Sequence, residues 1–298
     1  MILRVGTRES KLAIVQTKIV VSQIKALHPN LEIIIHPMTT TGDKLYDADL
    51  SVIGGKGLFL KELEEHLLSG AIDIAVHSLK DFPAAISEDL EIVTYLERED
   101  PFDAFLSDKY ESLFDMPAGA VVGTSSSRRA VQIKKMRPDL ETAPLRGNVF
   151  TRIKKMEDGE VDACVLACAG LNRLGLQSKI KHKFSKEQML PACGQGIICV
   201  ESRVDDSEIY NLLKRLNNKE SEYVARAERS FTMALNGSCT TPMAAHAVVY
   251  MEEVHLDVMY YDQDKNKHLY ASTVSGIHNP EKAGEDAAKI IKKAGGLK

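Results

Sequence analysis

"RVGTRESKLAIVQTKI" at 4–19 and "VVGTSSSRRAVQIKKM" at 121–136 are two versions of one pattern. Each is a short apolar run, then Gly-Thr, a polar turn containing Ser, and a helix-spaced stretch carrying Val-Gln. The spacing from Gly6 to Gly123 is about one domain length, roughly 100–150 residues. The pattern predicts two similarly built strand–turn–helix domains facing each other.

The same alternation continues on either side. "LEIIIHPM" (31–38), "AIDIAVHS" (71–78), "AVVGTS" (120–125), "ETAPLR" (141–146) and "VDACVLA" (161–167) read as strands. "GLFLKELEEHLLSG" (57–70) reads as a helix closed by Gly70. Strands alternating with helices predict α/β layers on a mostly parallel sheet, that is, two similar doubly wound domains. The character changes after about residue 218. "HAVVYMEEVHLDVMYYDQDKNKHLYASTVSG" (246–276) reads as three strands with "DQDKNK" as a hairpin loop, and "PEKAGEDAAKIIKKAGG" (280–296) as a closing helix. This predicts a small α+β C-terminal domain.

The 298 residues are 44% hydrophobic, enough for two or three domains, and the net charge of −4 argues against non-specific nucleic-acid binding. No apolar run reaches the roughly 18 residues of a membrane span. The chain opens with the strand-like "MILRVGTRES", so no leader peptide is expected, and it carries five cysteines. A cytoplasmic protein with reduced thiols is expected. Cys164 and Cys168 lie in an apolar run without a second metal-ligand pair, so core packing is expected and no metal. Cys193 and Cys199 read as structural. Cys239 differs: "LNGSCTTPMAAH" (235–246) is small, polar and turn-forming. Ligand, disulfide, nucleophile and attachment point all stay open for it on composition.

Ligands of open α/β sheets gather at the carboxyl ends of strands. There stand Thr7, Arg8 and Ser10; His77, Ser78, Lys80 and Asp81; Thr124, Ser125, Ser126, Arg128 and Arg129; Arg146 and Asn148; and Arg173. Guanidinium forks and serine-bearing helix starts suit carboxylate or phosphate, so a polyanion held between the domains is expected. Solvated arginines capping sheet edges are the plainer reading. Neither nucleotide loop occurs: "GGKG" lacks the phosphate-loop spacing and no strand precedes G-x-G-x-x-G. "SVIGGKG" (51–57) reads as a lid bringing Lys56 to the cleft, or as a plain surface loop. Asp81 in "HSLKDFP" is a carboxylate among cations, suited to stabilising a cationic intermediate or shuttling a proton. An ordinary exposed Lys80–Asp81 pair is the alternative.

"GTRESKLA", "GGKGLFLKELE", "DIAVHSLKDFP", "EREDPFDAF", "GTSSSRRAVQ", "LRGNVFTR", "LACAGLNRLG", "LPACGQGI" and "NGSCTTP" stand in the order found in the porphobilinogen deaminase (hydroxymethylbilane synthase) family, which this sequence resembles from about Arg4 to Pro242 and more loosely beyond. The resemblance implies three domains, at 1–97 with 197–215, 102–192, and 219–298. The first two would resemble type II periplasmic binding proteins. It also implies a transferase that joins four porphobilinogen molecules head to tail with loss of ammonia. Growth would start from a dipyrromethane cofactor bound by a thioether to Cys239. Lys80, Thr124, Ser126, Arg128, Arg129 and Arg146 would hold the cofactor carboxylates, with Ser78, Ser125 and Gly147 beside them. Arg8, Ser10, Gln16, Lys56, Arg152, Arg173 and Gln195, together with Arg146, would hold the incoming or growing chain. Asp81 would be the catalytic carboxylate, and the enzyme a cytoplasmic monomer. The family loop is usually Gly-Gly-Cys-x-x-Pro; Ser238 here removes one glycine's freedom. Cys193 adds a second thiol, expected to be packing. A non-catalytic two-lobed binder of an anionic small molecule, or a phosphate-handling enzyme, would be the other readings.

Overall fold

The computed structural model describes residues 2–39, 60–83, 86–238 and 240–296; Lys56 and Cys239 lie outside the described residues. Its contacts divide the chain into two compact units, Met1–Glu99 with Ile197–Glu222, and Asp100–Gly196 with Tyr223–Lys298.

The first unit is a five-stranded sheet with helices. Its strands are β1 (Ile2–Arg8), β2 (Glu32–Met38), β3 (Ile74–Ser78), β4 (Leu90–Tyr95) and β10 (Ile198–Arg203), in the order β2-β1-β3-β10-β4. β1 runs parallel to β2 and β3, whereas β10 runs antiparallel to both neighbours. Helix α1 (Lys11–Leu27) starts at Ser10, whose hydroxyl accepts from the Ala13 N–H and so satisfies one of the free amides of the first turn. α1 lays Val20 and Ile24 on Leu3, Val5, Ile74 and Val200 of the sheet. Helix α2 (Lys61–Leu68) covers another part with Leu63 and Leu67, and α6 (Ser207–Leu213) adds Ile209, Leu212 and Leu213.

The second unit repeats the plan. β5 (Asp103–Leu106), β6 (Val121–Gly123), β7 (Glu141–Ala143), β8 (Ala163–Ala167) and β9 (His182–Lys183) form a sheet in the order β7-β6-β8-β5-β9. β6 is parallel to β7 and β8, and β5 is the reversed strand. Helices α3 (Ser127–Met136), α4 (Val149–Glu157) and α5 (Cys168–Arg173) accompany it. The expectation of mostly parallel sheets is met with one reversed strand in each. That strand enters where the chain crosses between units, β5 on the way in and β10 on the way back. A short apolar run reads the same in either direction.

The rest of the second unit begins along α7 (Lys219–Ala234) and continues into an antiparallel meander, β11 (Met243–Tyr250), β12 (Glu253–Asp262) and β13 (Lys267–Gly276). The first hairpin turns through Met251 and Glu252, both at positive φ, which is the twist a two-residue hairpin requires. Helix α8 (Glu281–Gly295) packs on the meander through Ala283, Ala287, Ala288 and Ile291. Glu228 of α7 is buried and accepts from the Gly194 N–H (2.6 Å) and the Ala247 N–H (2.8 Å), tying loop, helix and meander together. Among the described residues, no helix is long and apolar enough to cross a membrane.

Candidate functional site

The expected site residues fall into one set on each unit. In the first unit, Arg8 ends β1 and Ser10 caps α1. Gln16, one turn further along α1 and buried, bonds Ser78 at the end of β3 in both directions: Gln16 Nε2 to Ser78 Oγ is 2.8 Å and Ser78 Oγ to Gln16 Oε1 is 3.0 Å. β3 then passes into a single 3-10 turn, Leu79–Asp81. The turn is anchored by the Leu79 N–H on the Ile197 carbonyl (3.0 Å) and closed by the Phe82 N–H on the Leu79 carbonyl (3.0 Å). Leu79 is buried beneath it, Lys80 is half-buried, and Asp81 holds its carboxylate at the surface.

The second unit gathers more. Thr124 follows β6, its hydroxyl accepting from the Ser126 N–H, and Ser126 caps α3. Ser125 is exposed between them. Arg128 and Arg129, in the first turn of α3, are both buried and converge on Asp103, which is fully buried at the start of β5. Arg128 Nη1 donates to Asp103 Oδ2 (2.7 Å) and to the Leu190 carbonyl. Arg129 donates to Asp103 Oδ1 from Nε (3.0 Å) and Nη2 (2.7 Å), and to the Val165 carbonyl from Nη1. Gln195 Nε2 completes the set on Asp103 Oδ1 at 3.0 Å. Arg173, at the end of α5, donates to the carbonyl of the next residue, Gly196, at 2.6 Å. Burial alone would raise the Asp103 carboxyl, but Arg128 and Arg129 together hold it well below the usual carboxylate range. Two guanidiniums over one carboxylate leave one positive charge in excess, next to the free amides at the start of α3.

Arg146, Gly147 and Arg152 form a separate turn of the same unit. Gly147 takes a φ of 119°, its carbonyl accepts from Arg152 Nε (2.7 Å), and Asn148 caps α4 by accepting from the Thr151 N–H.

The loop around position 239 joins the arginine group. Ser127 Oγ, in the first turn of α3, donates to the Thr240 carbonyl at 2.9 Å. Ser238 is not at positive φ, so a serine there carries no left-handed strain. Its hydroxyl lies 2.9 Å from that of Thr240 and 3.2 Å from that of Thr241, and the Thr241 N–H donates to the Ser238 carbonyl. The departure from the glycine-rich family loop is thus a set of mutually bonded hydroxyls. An excess positive charge, a helix N-terminus and serine and threonine donors fit a group carrying several carboxylates, as dipyrromethane does.

Three features went unassigned in the sequence. Asp103 lies inside the quoted "EREDPFDAF", and two adjacent arginines on one helix were the signal that a buried counter-ion exists. Ser127 left no signal, because its partner is a backbone carbonyl 113 residues on. His77 was noted at its strand end without a role; it lies 3.1 Å from Glu201. Cys164 and Cys168 are buried, and burial pushes both thiols up to about 12, as inert core cysteines require.

Residues 3–211 match the family model "Porphobilinogen deaminase, dipyromethane cofactor binding domain", and residues 223–293 match "Porphobilinogen deaminase, C-terminal domain". Among curated relatives, the porphobilinogen deaminase of Vesicomyosocius okutanii is 47% identical over 290 residues, covering 97% of this chain and 95% of that protein. That of Syntrophomonas wolfei is 44% identical over 294 residues, covering 99% and 96%. Among solved structures, the methionine-binding protein MetQ is similar at a TM-score of 0.46 with 15% identity, over 76% of this chain and 94% of that one. An immunogenic lipoprotein A from Vibrio vulnificus gives 0.45 with 12% identity, over 76% and 99%. By the two family models and the near-full-length relatives, the chain belongs to the porphobilinogen deaminase family.

Proposed function

We propose that this chain is a transferase that condenses four porphobilinogen molecules head to tail, releasing ammonia at each addition; water then cleaves the four added units from the primer and supplies the hydroxyl of the linear tetrapyrrole hydroxymethylbilane. Its primer is a dipyrromethane linked through a thioether to Cys239. The observation that carries this reading is the Ser127–Thr240 hydrogen bond, because it ties the residue after Cys239 to the helix start that bears Arg128 and Arg129. When bound, the dipyrromethane supplies a free pyrrole α-carbon for the incoming unit. The chain's own residues do the rest. Arg128, Arg129 and Arg146, with Lys80, Thr124 and Ser126, hold acetate and propionate groups by charge-assisted hydrogen bonds of about 1.5–3 kcal/mol each. Arg8, Ser10, Gln16, Arg152, Arg173 and Gln195 orient the substrate side. Asp81 balances positive charge on the reacting pyrroles and takes or gives a proton as ammonia leaves.

The family membership supports this transferase and lends nothing to a non-catalytic binder or a phosphate-handling enzyme. The reading also carries a three-domain, cytoplasmic, monomeric enzyme. Intact-mass measurement tests it. The purified protein should exceed its polypeptide mass by two linked pyrrole units, and Cys239→Ser should abolish the excess together with turnover. An active wild type of unmodified mass would refute the attachment.

A further inference from the structure

The two five-stranded sheets can be matched strand for strand, because Gly6 pairs with Ala75 in the first as Gly123 pairs with Cys164 in the second. Counting along the ladders then sets His77 opposite Leu166, and Glu201 opposite Leu106. Leu106 and Leu166 are buried and pack in the apolar core of the second unit. The first unit places a polar pair at the same two positions. His77 and Glu201 are 7% and 0% exposed, with His77 Nε2 3.1 Å from Glu201 Oε2. A carboxylate oxygen only accepts, so Nε2 carries the proton.

The second sheet shows that this architecture closes with leucines there, and a buried pair of this kind is a poor source of stability. Glu201 Oε1 is moreover buried without a hydrogen-bond partner among the described residues, which costs stability. The pair therefore serves something other than the sheet, and its surroundings say what. His77 immediately precedes Ser78 and the Leu79–Asp81 turn. Its ring meets the ring of Phe82, the residue after Asp81, edge to face with centroids 5.1 Å apart. Ser78 is gripped on its own side by Gln16. The turn that bears Asp81 is thus clamped at both ends, by Gln16 at its entry and by the Glu201–His77–Phe82 chain of contacts at its exit.

We propose that His77 and Glu201 are positioning residues that fix the orientation of the Asp81 turn, an inference that rests on Asp81 acting in the reaction. Glu201 holds the imidazole in one tautomer and one rotamer, and the imidazole holds Phe82. The pair is a device of the reactive turn, retained at the expense of core stability.

The test transplants the second sheet's solution into the first: the double variant His77→Leu/Glu201→Leu, measured as cofactor-loaded enzyme. It should fold with a melting temperature equal to or above the parent's and keep KM within about twofold, while kcat falls at least about tenfold. A purely structural pair would instead lower the melting temperature and leave kcat per folded, loaded molecule unchanged; that result overturns the inference. So does a double variant that fails to fold, since the sheet would then need the pair. His77→Gln keeps an N–H donor near the reach of Nε2 and should recover kcat to within about threefold of the parent. A His77→Gln as slow as the double variant would also count against it. Asp81→Asn, run in parallel, separates the two levels: if it retains turnover, the catalytic assignment of Asp81 has failed. If it loses turnover while the double variant does not, only the positioning role has.

Discussion

The two five-stranded sheets share strand order, strand directions and a serine-capped helix after β1 and β6, the matching strands beside the central one, yet they bury opposite chemistry. Asp103 of the second sheet stands at the position of Ile198 in the first, while His77 and Glu201 of the first stand where the second has Leu166 and Leu106. Common architecture is therefore carried by the apolar positions that agree. The polar groups that differ mark what each sheet contributes to chemistry: in the second a carboxylate that organises two arginines, in the first a pair beside the turn of Asp81.

The largest effect expected from breaking this contrast is at Asp103. Asp103→Asn leaves Arg128 and Arg129 buried without their counter-ion, and losing one partner of such a group costs about 3–5 kcal/mol. Ile198→Val, at the matching position, should cost about 0.5–1.5 kcal/mol. Denaturant unfolding of both variants checks the difference, and similar midpoints would deny Asp103 its organising role. The acid limb adds a second readout. Because Asp103 has a lowered folded carboxyl, its stabilisation is present above the unfolded value of about 4 and is lost as pH falls below it. The parent should lose stability through that range more steeply than Asp103→Asn.

This asymmetry also explains what was legible in advance. The strand–turn–helix repeat and the meander were readable because they rest on local periodicity, turn residues and caps, all written in neighbouring residues. So was the list of cations at strand ends. Asp103 was not, because its meaning depends on α3 delivering Arg128 and Arg129 from 25 and 26 residues away. The His77–Glu201 pair spans 124 residues, and the reversed strands β5 and β10 that supply both acidic partners are the feature that local pattern conceals. The mutual bonding of Ser238, Thr240 and Thr241 was hidden for a different reason: short polar side chains in a loop have many possible partners, and only the fold selects among them.

A middle-sized effect compares the glycines that disclosed the repeat. A Cβ on Gly6 would come 2.4 Å from Ile72 Cδ1, the far end of a flexible side chain, and 3.0 Å from Leu63 Cδ2. On Gly123 it would come 2.8 Å from Leu145 Cδ2, 2.9 Å from Val161 Cγ2 and 3.1 Å from Leu145 Cβ. The γ-carbon of a valine cannot retreat without turning the whole side chain out of its preferred rotamer. Both substitutions overpack their sheet, at about 1–3 kcal/mol, with Gly123→Ala the more costly. Chemical denaturation ranks them, and a larger loss for Gly6→Ala would mean that Ile72 is the stiffer neighbour.

The smallest effect concerns the partner of Gly123. Cys164 occupies the position of Ala75 in the first sheet, so Cys164→Ala makes the two sheets agree. The removed sulfur is buried 3.7 Å from Met156 Sδ, and the loss should be about 1 kcal/mol at neutral pH. The alkaline limb gives the sharper test. Burial raises the Cys164 thiol from its ordinary 9.0 to about 12, so the folded state holds its proton where the unfolded state has released it. A raised folded value contributes stability that is complete below the unfolded value and is lost as pH climbs from about 9 towards 12. Cys164→Ala should therefore narrow its deficit against the parent across that interval, and Cys168, raised to about 12 in the same way, should leave a residual slope in the variant. A deficit constant from neutral to alkaline pH would mean that water reaches Cys164 in the folded protein. The native thiol would then react with an exposed-thiol reagent at pH 8, which an enclosed Cys164 does not.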